Sequence, residues 1–259
     1  MRFFAMTFLE KALKGLMDNA DQVDCEPLYP FALPHPNIPT GNPALDLFLG
    51  GPLKDGVSPC PGLGRGEITL LIGGTASGKS TLAKRIAHHS SKCGRKVLYV
   101  DTQCQEMSNF IGCPGIAHVH ATTPPDLLDL LPSKDQPDLV ILDDVVMGLS
   151  ARPLGTVWHQ LLPSLTQWVS DSNAAFLALA PARKAMPTHE NVHIKPAGGN
   201  SWAYFAHLII TIKPHRFKDT NDAGFCVKAQ ITKDRRSAGD REDVFRLMSA
   251  EDFQHGRGL

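Results

Sequence analysis

Residues 70 to 89, LLIGGTASGKSTLAKRIAHH, constrain the fold of this chain more than any other stretch. The segment begins with an apolar run that ends at two glycines, and such a run predicts a buried β-strand. After Lys79, apolar residues return every three or four positions, which predicts an α-helix. A buried strand that leads through a tight loop into a helix is typical of layered α/β proteins with a parallel sheet.

The loop between this strand and this helix has the spacing of a phosphate-binding loop. Gly73, Gly78, Lys79 and Ser80 satisfy the pattern G-x4-G-K-[ST]. Glycines let backbone N–H groups approach phosphate oxygens, and the helix that follows points its positive end at the same anion. We therefore expect ATP here, with the ammonium group of Lys79 at the terminal phosphates. The predicted nucleotide-binding residues are Gly73, Gly74, Thr75, Ala76, Ser77, Gly78, Lys79, Ser80 and Thr81.

A second apolar strand supplies acidic residues for a metal ion. The segment PDLVILDDVV carries Asp143 and Asp144 at the end of its apolar run. A carboxylate at this point suits Mg²⁺ bound through water, although apolar strands also end in aspartate for solubility alone. Together with the glycine loop, the pattern predicts Mg²⁺ held by the hydroxyl of Ser80, or that of Thr81, and by Asp143 in preference to Asp144.

The remainder of the core alternates strands and helices. Continuous apolar strands separated by helices predict a mostly parallel sheet that is covered on both faces. After Gly199 the pattern changes to three segments that predict antiparallel strands at one edge of the sheet. The predicted strands are 67–73, 96–102, 116–121, 138–144, 174–180, 207–214, 224–234 and 243–249, and the predicted helices are 79–92, 124–131 and 154–171.

The N-terminal part predicts two further units before this core. Spacing of Phe4, Phe8 and Ala12 fits an amphipathic helix over residues 1–20. Prolines recur every few residues from Pro27, which predicts an extended linker over 21–39. The ATP-binding core is then expected over 40–259, a length that suits one large domain.

Composition excludes several classes of function. The formal net charge is zero, so no overall field draws the chain to nucleic acid or to a membrane. The six cysteines form no CxxC pair, which argues against a structural metal or a disulfide framework and favours an intracellular protein, nuclear in a eukaryote and otherwise cytoplasmic. No apolar run approaches the 18 or so residues of a membrane span.

The order of these motifs resembles that of the RecA/RadA recombinase family, nearer its archaeal and eukaryotic branch and the shorter paralogues of that branch. The resemblance covers roughly residues 38 to 253 and implies a RecA-like P-loop core, ATP with Mg²⁺, a recombinase or recombinase paralogue as partner, and contact with single-stranded DNA. The stretches that carry it are IPTGNPALDLFLGG, GGTASGKSTLA, KVLYVDTQ, DLVILDD, KPAGGNSWAYFAHLIITI and EDVFRLMSAEDF.

Departures from the family pattern concern hydrolysis. The resemblance implies a catalytic glutamate after the second strand, where this chain has Gln103. An amide binds water but does not accept its proton, so general-base catalysis is expected to be lost and ATPase activity to be weak or absent. Glu106 is an alternative base. The family's polar Asn-Gln pair, which senses the γ-phosphate, is replaced by alanine and proline in FLALAPARK.

A second group of departures concerns assembly. The resemblance implies polymerisation through a Phe-x-x-Ala segment, and no phenylalanine of this chain has alanine three residues later. Phe31, in YPFALP, would have to bind a partner in another register. A hetero-complex is therefore expected, and a filament of this chain alone is not.

Contact with DNA depends on two loops that the resemblance identifies. The first covers about 147–152 and includes Arg152, and the second lies between the fifth strand and the Gly-Gly-Asn motif, with Arg183, Lys184 and Lys195. Cations on a loop suit the phosphate backbone of single-stranded DNA. Ordinary solvating charge explains the same residues, and both explanations remain open from the sequence.

The function that these features favour is an ATP-binding recombinase paralogue, accessory to homologous recombination and DNA repair. An active DNA-dependent ATPase that exchanges strands is the first alternative, and Gln103 argues against it. A KaiC-like or helicase-like ATPase of the same superfamily is the second. A small-molecule kinase would need an arginine-rich lid, for which the sequence gives no clear segment.

Overall fold

The computed structural model of the protein describes 37–50, 61–103, 110, 113–132, 135–146, 154–184, 194–197, 199–215, 225–235 and 241–248 of the 259 residues. The predicted N-terminal helix over 1–20 and nearly all of the linker over 21–39 lie outside these residues.

The described residues form five helices and nine strands. The helices are α1 (Pro43–Leu49), α2 (Lys79–Lys92), α3 (Pro124–Leu130), α4 (Leu154–Ser172) and α5 (Asn200–Phe205). The strands are β1 (Ile68–Gly73), β2 (Val97–Asp101), β3 (Ile116–His120), β4 (Leu139–Asp143), β5 (Ala175–Lys184), β6 (Ile194–Pro196), β7 (Leu208–His215), β8 (Phe225–Asp234) and β9 (Arg241–Met248). Every strand and helix predicted after residue 66 is present, with ends displaced by one or two residues, except for β5, which continues four residues further to Lys184.

One sheet organises these elements. Its order over the described strands is β3-β2-β4-β5-β1-β7-β8-β9, with β6 paired to β5 beside that path. The six strands from β3 to β7 are parallel, and β8 and β9 add antiparallel pairs. The expected α/β fold, mostly parallel with antiparallel C-terminal strands, is confirmed. The strand expected at 207–214 is antiparallel to β8 as predicted, but on its other side it lies parallel to β1 because it follows the crossover helix α5.

Apolar side chains fill the space on both faces of the sheet. Along β1, Leu71 belongs to a cluster with apolar residues of α1 and α2, whereas Leu70 and Ile72 belong to a cluster with α3, α4 and α5. This alternation follows from the period of two in a strand. Because both faces are covered, β1 is buried along its whole length and its side chains are mostly apolar. Each buried apolar side chain contributes about 1.5–3 kcal/mol to stability.

The carboxyl ends of the parallel strands meet at one edge of the sheet. Strand β5 lies between β1 and β4, so Gly73 pairs in register with Pro181, and Asp143 pairs with Leu179. On the other side of β4, Asp143 pairs with Asp101 of β2. In open α/β sheets, ligands bind in the crevice beyond these ends. Among the described residues, no helix is both long and apolar enough to cross a membrane.

Candidate nucleotide-binding site

The loop between β1 and α2 has a backbone that favours glycine at its last position. Gly78 has φ +89° and is the N-cap residue that precedes α2, and its carbonyl accepts the first helical hydrogen bond, from the N–H of Leu82 at 2.9 Å. A Cβ at Gly78 would lie 2.6 Å from the ring of Phe225. The left-handed conformation and this close approach together explain why the sequence needs glycine before the helix.

Lys79 bends back over the loop that precedes it. Its Nζ donates to the carbonyl oxygens of Gly73 at 3.0 Å and Gly74 at 2.9 Å. Burial lowers the pKa of Lys79, and the nearby carboxylates of Asp143 and Asp144 partly offset that effect. The ammonium group therefore lies at the mouth of the loop, where it reaches an anion bound there.

The loop itself has the features of an anion cradle. Residues 74–76 are exposed, and a Cβ at Gly74 would meet no atom within 4 Å. The hydroxyl of Ser77 is buried and has no hydrogen-bond partner among the described residues. A buried donor without a partner costs roughly 1–3 kcal/mol, which a phosphate oxygen would recover. The loop thus fits the phosphate groups of a nucleotide.

Ser80 and Asp143, the predicted Mg²⁺ ligands, lie in contact. The Ser80 hydroxyl donates to Oδ1 of Asp143 at 3.1 Å, although the two residues are 63 positions apart in the chain. Thr81, the other hydroxyl considered, is half-buried one position further along α2. No group of three or more histidine, cysteine or acidic residues in the described part of the chain forms a metal site by itself. A magnesium ion here would therefore draw its remaining ligands from phosphate and water, as Mg²⁺ usually does.

Sequence reasoning missed a third member of this contact, Tyr99. Its phenol donates to Oδ2 of Asp143 at 2.7 Å, from strand β2 beside β4. Burial raises the pKa of Tyr99, and the Asp143 charge adds to this effect, so the phenol stays protonated and serves as the donor. The only signal in the sequence was one hydroxyl-bearing side chain within the apolar run VLYVD.

Gln103, at the expected position of the catalytic glutamate, is held by two aspartates. Its Nε2 donates to Oδ2 of Asp144 at 3.0 Å, and its backbone N–H donates to Oδ1 of Asp101 at 2.8 Å. An ionised carboxylate accepts but does not donate, so the amide nitrogen, rather than the amide oxygen, faces Asp144. Sequence reasoning treated Asp144 as a less favoured Mg²⁺ ligand and did not pair it with Gln103.

Asp144 is itself held by hydrogen bonds, and its surroundings disfavour the ionised form of its carboxylate. Its Oδ1 accepts from the N–H of Val146 at 2.7 Å, and its own N–H donates to the hydroxyl of Thr102 at 2.9 Å. Burial raises the pKa of Asp144 to about 6, and the neighbouring charges of Asp143 and Asp101 add to the increase. The carboxylates of Asp143 and Asp101 are thus close enough to disfavour the ionised form of Asp144, whereas the nearby charge of Lys79 partly offsets this effect.

The end of β5 that faces the phosphate loop carries no amide side chain. Pro181 pairs in register with Gly73, and its carbonyl accepts from the N–H of Ala197 at 2.8 Å. This geometry places alanine and proline beside the loop, at the point where the family resemblance implies an Asn-Gln pair.

The predicted DNA-contacting residues fall in different situations. Arg152 lies outside the described residues, as does Glu106, the alternative base. Arg183, Lys184 and Lys195 are not on a loop but on a short two-stranded stem, where Arg183 pairs with Lys195 across β5 and β6. Arg183 is exposed. The sequence pattern missed this stem because β6 has only three residues.

Comparison with curated proteins gives distant relatives. The chain is 24% identical over 247 residues to protein RecA of Nitratidesulfovibrio vulgaris, a match that covers 86% of this chain and 65% of that protein. It is 23% identical over 245 residues to the mitochondrial DNA repair protein recA homolog of Dictyostelium discoideum, with 85% of this chain and 50% of that protein covered. It is 35% identical over 155 residues to DNA repair protein RadA of Mycobacterium tuberculosis, with 57% and 28% covered.

The chain spans about half the length of the curated relatives it matches, from 28% to 65% for these three. No protein-family model matches it. The two RecA-type matches extend over most of the chain, and the sheet has the parallel and antiparallel parts of a RecA-like fold. The chain is therefore a distant homologue of the RecA and RadA DNA repair proteins, with a RecA-like α/β fold.

Proposed function

We propose that this chain binds ATP with Mg²⁺ and acts as an accessory recombinase paralogue in homologous recombination and DNA repair. In this proposal it belongs with the shorter paralogues of the archaeal and eukaryotic branch, inside the cell, and works in a hetero-complex with a recombinase or another paralogue. The observation that carries the proposal is the contrast between a complete phosphate loop and a reaction centre whose base position is an amide.

Binding would rest on the loop and on the two residues at the metal position. Backbone N–H groups of residues 73–80 and the ammonium of Lys79 would bind phosphate oxygens, and the hydroxyl of Ser80 with Asp143 would hold Mg²⁺. When bound, Mg²⁺ neutralises phosphate charge and orients the terminal phosphates. The Ser80–Asp143 contact at 3.1 Å supports this assignment because it brings the two groups together before any ligand arrives.

Hydrolysis would be slow because Gln103 does not accept a proton. General-base help is typically worth 10²–10⁴-fold in rate. The Nε2 of Gln103 also donates to Oδ2 of Asp144 at 3.0 Å, so the side chain is already held by a hydrogen bond to this carboxylate. An amide still orients water, so turnover would be reduced rather than abolished.

Communication between the bound nucleotide and DNA would also be weak. The backbone at Pro181 continues along β5 into the stem that carries Arg183 and Lys195, so in this proposal β5 would link the nucleotide site to the DNA contacts. Proline offers no side-chain donor to a γ-phosphate, and its own carbonyl is already bonded to Ala197. Single-stranded DNA would then be bound through the stem cations with little dependence on the state of the nucleotide.

A second candidate is an active DNA-dependent ATPase that exchanges strands, and one observation favours it. Asp144 brings a carboxylate to within 3.0 Å of Gln103, so negative charge is present near the expected position of the base. A KaiC-like or helicase-like ATPase shares the same nucleotide site and would differ in its partner.

Equilibrium binding and steady-state turnover of the full chain distinguish these candidates. An accessory paralogue should bind ATP–Mg²⁺ at micromolar concentrations and release phosphate slowly, with or without single-stranded DNA. Brisk hydrolysis that DNA stimulates, together with long helical polymers of this chain alone in electron micrographs, would establish the active recombinase instead. Capture of recombination proteins from native extract, lost when residues 1–40 are removed, would identify the partner and the docking segment.

A further inference from the structure

We propose that Tyr99 is a positioning residue for magnesium, which fixes the carboxylate of Asp143 in the orientation that the metal requires. This inference rests on the proposed function, since it concerns the same ATP–Mg²⁺ site, and it adds a residue that the phosphate-loop pattern does not contain.

The carboxylate of Asp143 is held at both of its oxygens. Its two carboxylate oxygens have different partners, Oδ1 the hydroxyl of Ser80 at 3.1 Å and Oδ2 the phenol of Tyr99 at 2.7 Å. A carboxylate held at one oxygen alone rotates about its last bond, whereas one held at both has a fixed plane. The phenol bond therefore keeps Oδ1 on the side of α2, where Ser80 lies.

The phenol ring of Tyr99 is held rigidly in the core. Tyr99 is 2% exposed, so its ring has no solvent into which to turn. Phe110 and His118 pack against it, with ring centroids 4.8 Å and 5.8 Å away. A donor fixed in this way restrains its acceptor at little further entropic cost, since the ring has already lost its freedom on folding.

The metal itself is sensitive to where its ligands lie. Mg²⁺ demands nearly ideal octahedral geometry and tolerates misplaced ligands poorly. Groups that orient metal ligands without touching the metal typically change affinity by 10–100-fold when removed. Removal of the phenol oxygen should therefore raise the Mg²⁺ concentration at half-effect by about tenfold. The phosphate loop, which follows β1 rather than β2, should stay intact.

The test uses the full chain, the variant Tyr99→Phe and a fluorescent ATP analogue. The nucleotide dissociation constant is measured in EDTA, and then at increasing Mg²⁺ with sub-saturating nucleotide. We expect the constant in EDTA to stay within about twofold of wild type and the Mg²⁺ concentration at half-effect to rise about tenfold. Ile141→Val is the matched control, because Ile141 pairs with Tyr99 across β4 and β2, is equally buried and touches the same core without a hydroxyl.

Each outcome decides the matter. An unchanged Mg²⁺ midpoint in Tyr99→Phe overturns the positioning role, as does an equal shift in Ile141→Val, which would indicate a packing effect. Equal weakening in EDTA and in Mg²⁺ overturns it too, because the damage would then extend to the phosphate loop. Wild-type protein that fails to bind the analogue at all overturns the proposed function, and the role of Tyr99 with it.

Discussion

The two ends of the candidate site differ in how closely their residues match the expected pattern of a nucleotide-hydrolysing site. At the phosphate end, Gly78, Lys79 and Ser80 stand on one strand–loop–helix unit, with Asp143 in contact. At the reaction end, Gln103 and Asp144 come from the ends of β2 and β4 and form a pair of amide and carboxylate. The two ends use different side chains, although Asp143 and Asp144 are consecutive residues at the end of β4. We therefore expect substitutions at the first end to affect nucleotide binding and substitutions at the second end to affect turnover.

The largest effect is expected at the phosphate end, from Lys79→Ala. Charge-assisted hydrogen bonds contribute about 1.5–3 kcal/mol each, so loss of the ammonium should weaken ATP binding about 10³-fold, or about 4 kcal/mol. Equilibrium binding of a fluorescent nucleotide measures it. Lys92→Ala, an exposed lysine at the far end of the same helix, should bind as wild type. Undiminished binding by Lys79→Ala would remove the phosphate-loop assignment.

The next effect concerns the reaction end and needs two substitutions. Gln103→Glu alone would set two carboxylates about 3 Å apart, where the present Gln103 Nε2–Asp144 Oδ2 distance is 3.0 Å, so it should raise turnover little. Adding Asp144→Asn exchanges donor and acceptor and preserves the hydrogen bond. The double variant should hydrolyse ATP about 10²-fold faster than wild type.

Steady-state phosphate release measures this exchange, with Asp144→Asn alone as the control that should show no gain. If the single variant Gln103→Glu is already fully active, the pairing with Asp144 does not control turnover. If the double variant stays slow, the missing base is not what limits the reaction.

A smaller effect should appear in the pH dependence of stability. The native pKa of Asp144 is about 6, above the ordinary value of 3.8 that the unfolded chain retains. The unfolded state therefore gives up its proton first, and the native state loses relative stability as the pH rises from about 4 to about 6. The difference between these two pKa values corresponds to a change of about 3 kcal/mol in the free energy of unfolding. Solvent screening reduces this to about 2 kcal/mol.

Urea unfolding without Mg²⁺ measures this effect, as the difference between wild type and Asp144→Asn. Relative to the variant, wild type should become about 2 kcal/mol less stable between pH 4 and pH 7. If the difference in stability between wild type and Asp144→Asn does not change with pH, the native pKa of Asp144 is not raised. Added Mg²⁺ and ATP should reduce the difference, because a cation favours the ionised carboxylate.

The smallest expected effect is on stability, and it distinguishes the cost of a left-handed backbone from the cost of a close contact with Phe225. Gly78 and Gly94 both have positive φ, at +89° and +72°, but a Cβ at Gly94 would meet nothing within 4 Å. Gly94→Ala should cost about 1 kcal/mol from the left-handed backbone alone. Gly78→Ala should cost about 1 kcal/mol more, because Phe225 must move. Equal losses on thermal unfolding would show that the contact with Phe225 carries no energy.

The sequence by itself determined the parts that depend on neighbouring residues. Alternation between short apolar runs and helical periodicity placed the strands and helices after residue 66, because those periods reflect local backbone geometry. The loop from Gly73 to Ser80 could be identified from the sequence for the same reason, since its strand, turn and helix follow each other along the chain without a gap. The choice of Asp143 over Asp144 for the metal was also made from the sequence and stays a prediction.

Only the tertiary structure decided which distant side chains meet. The contacts of Tyr99 with Asp143 and of Gln103 with Asp144 span 44 and 41 residues, and they exist because β2 lies beside β4. The parallel placement of β7 and the stem formed by β6 likewise depend on which strand each one pairs with. Pairing and register result from the packing of the whole core, whereas a pattern along the chain records only which face of each element is apolar.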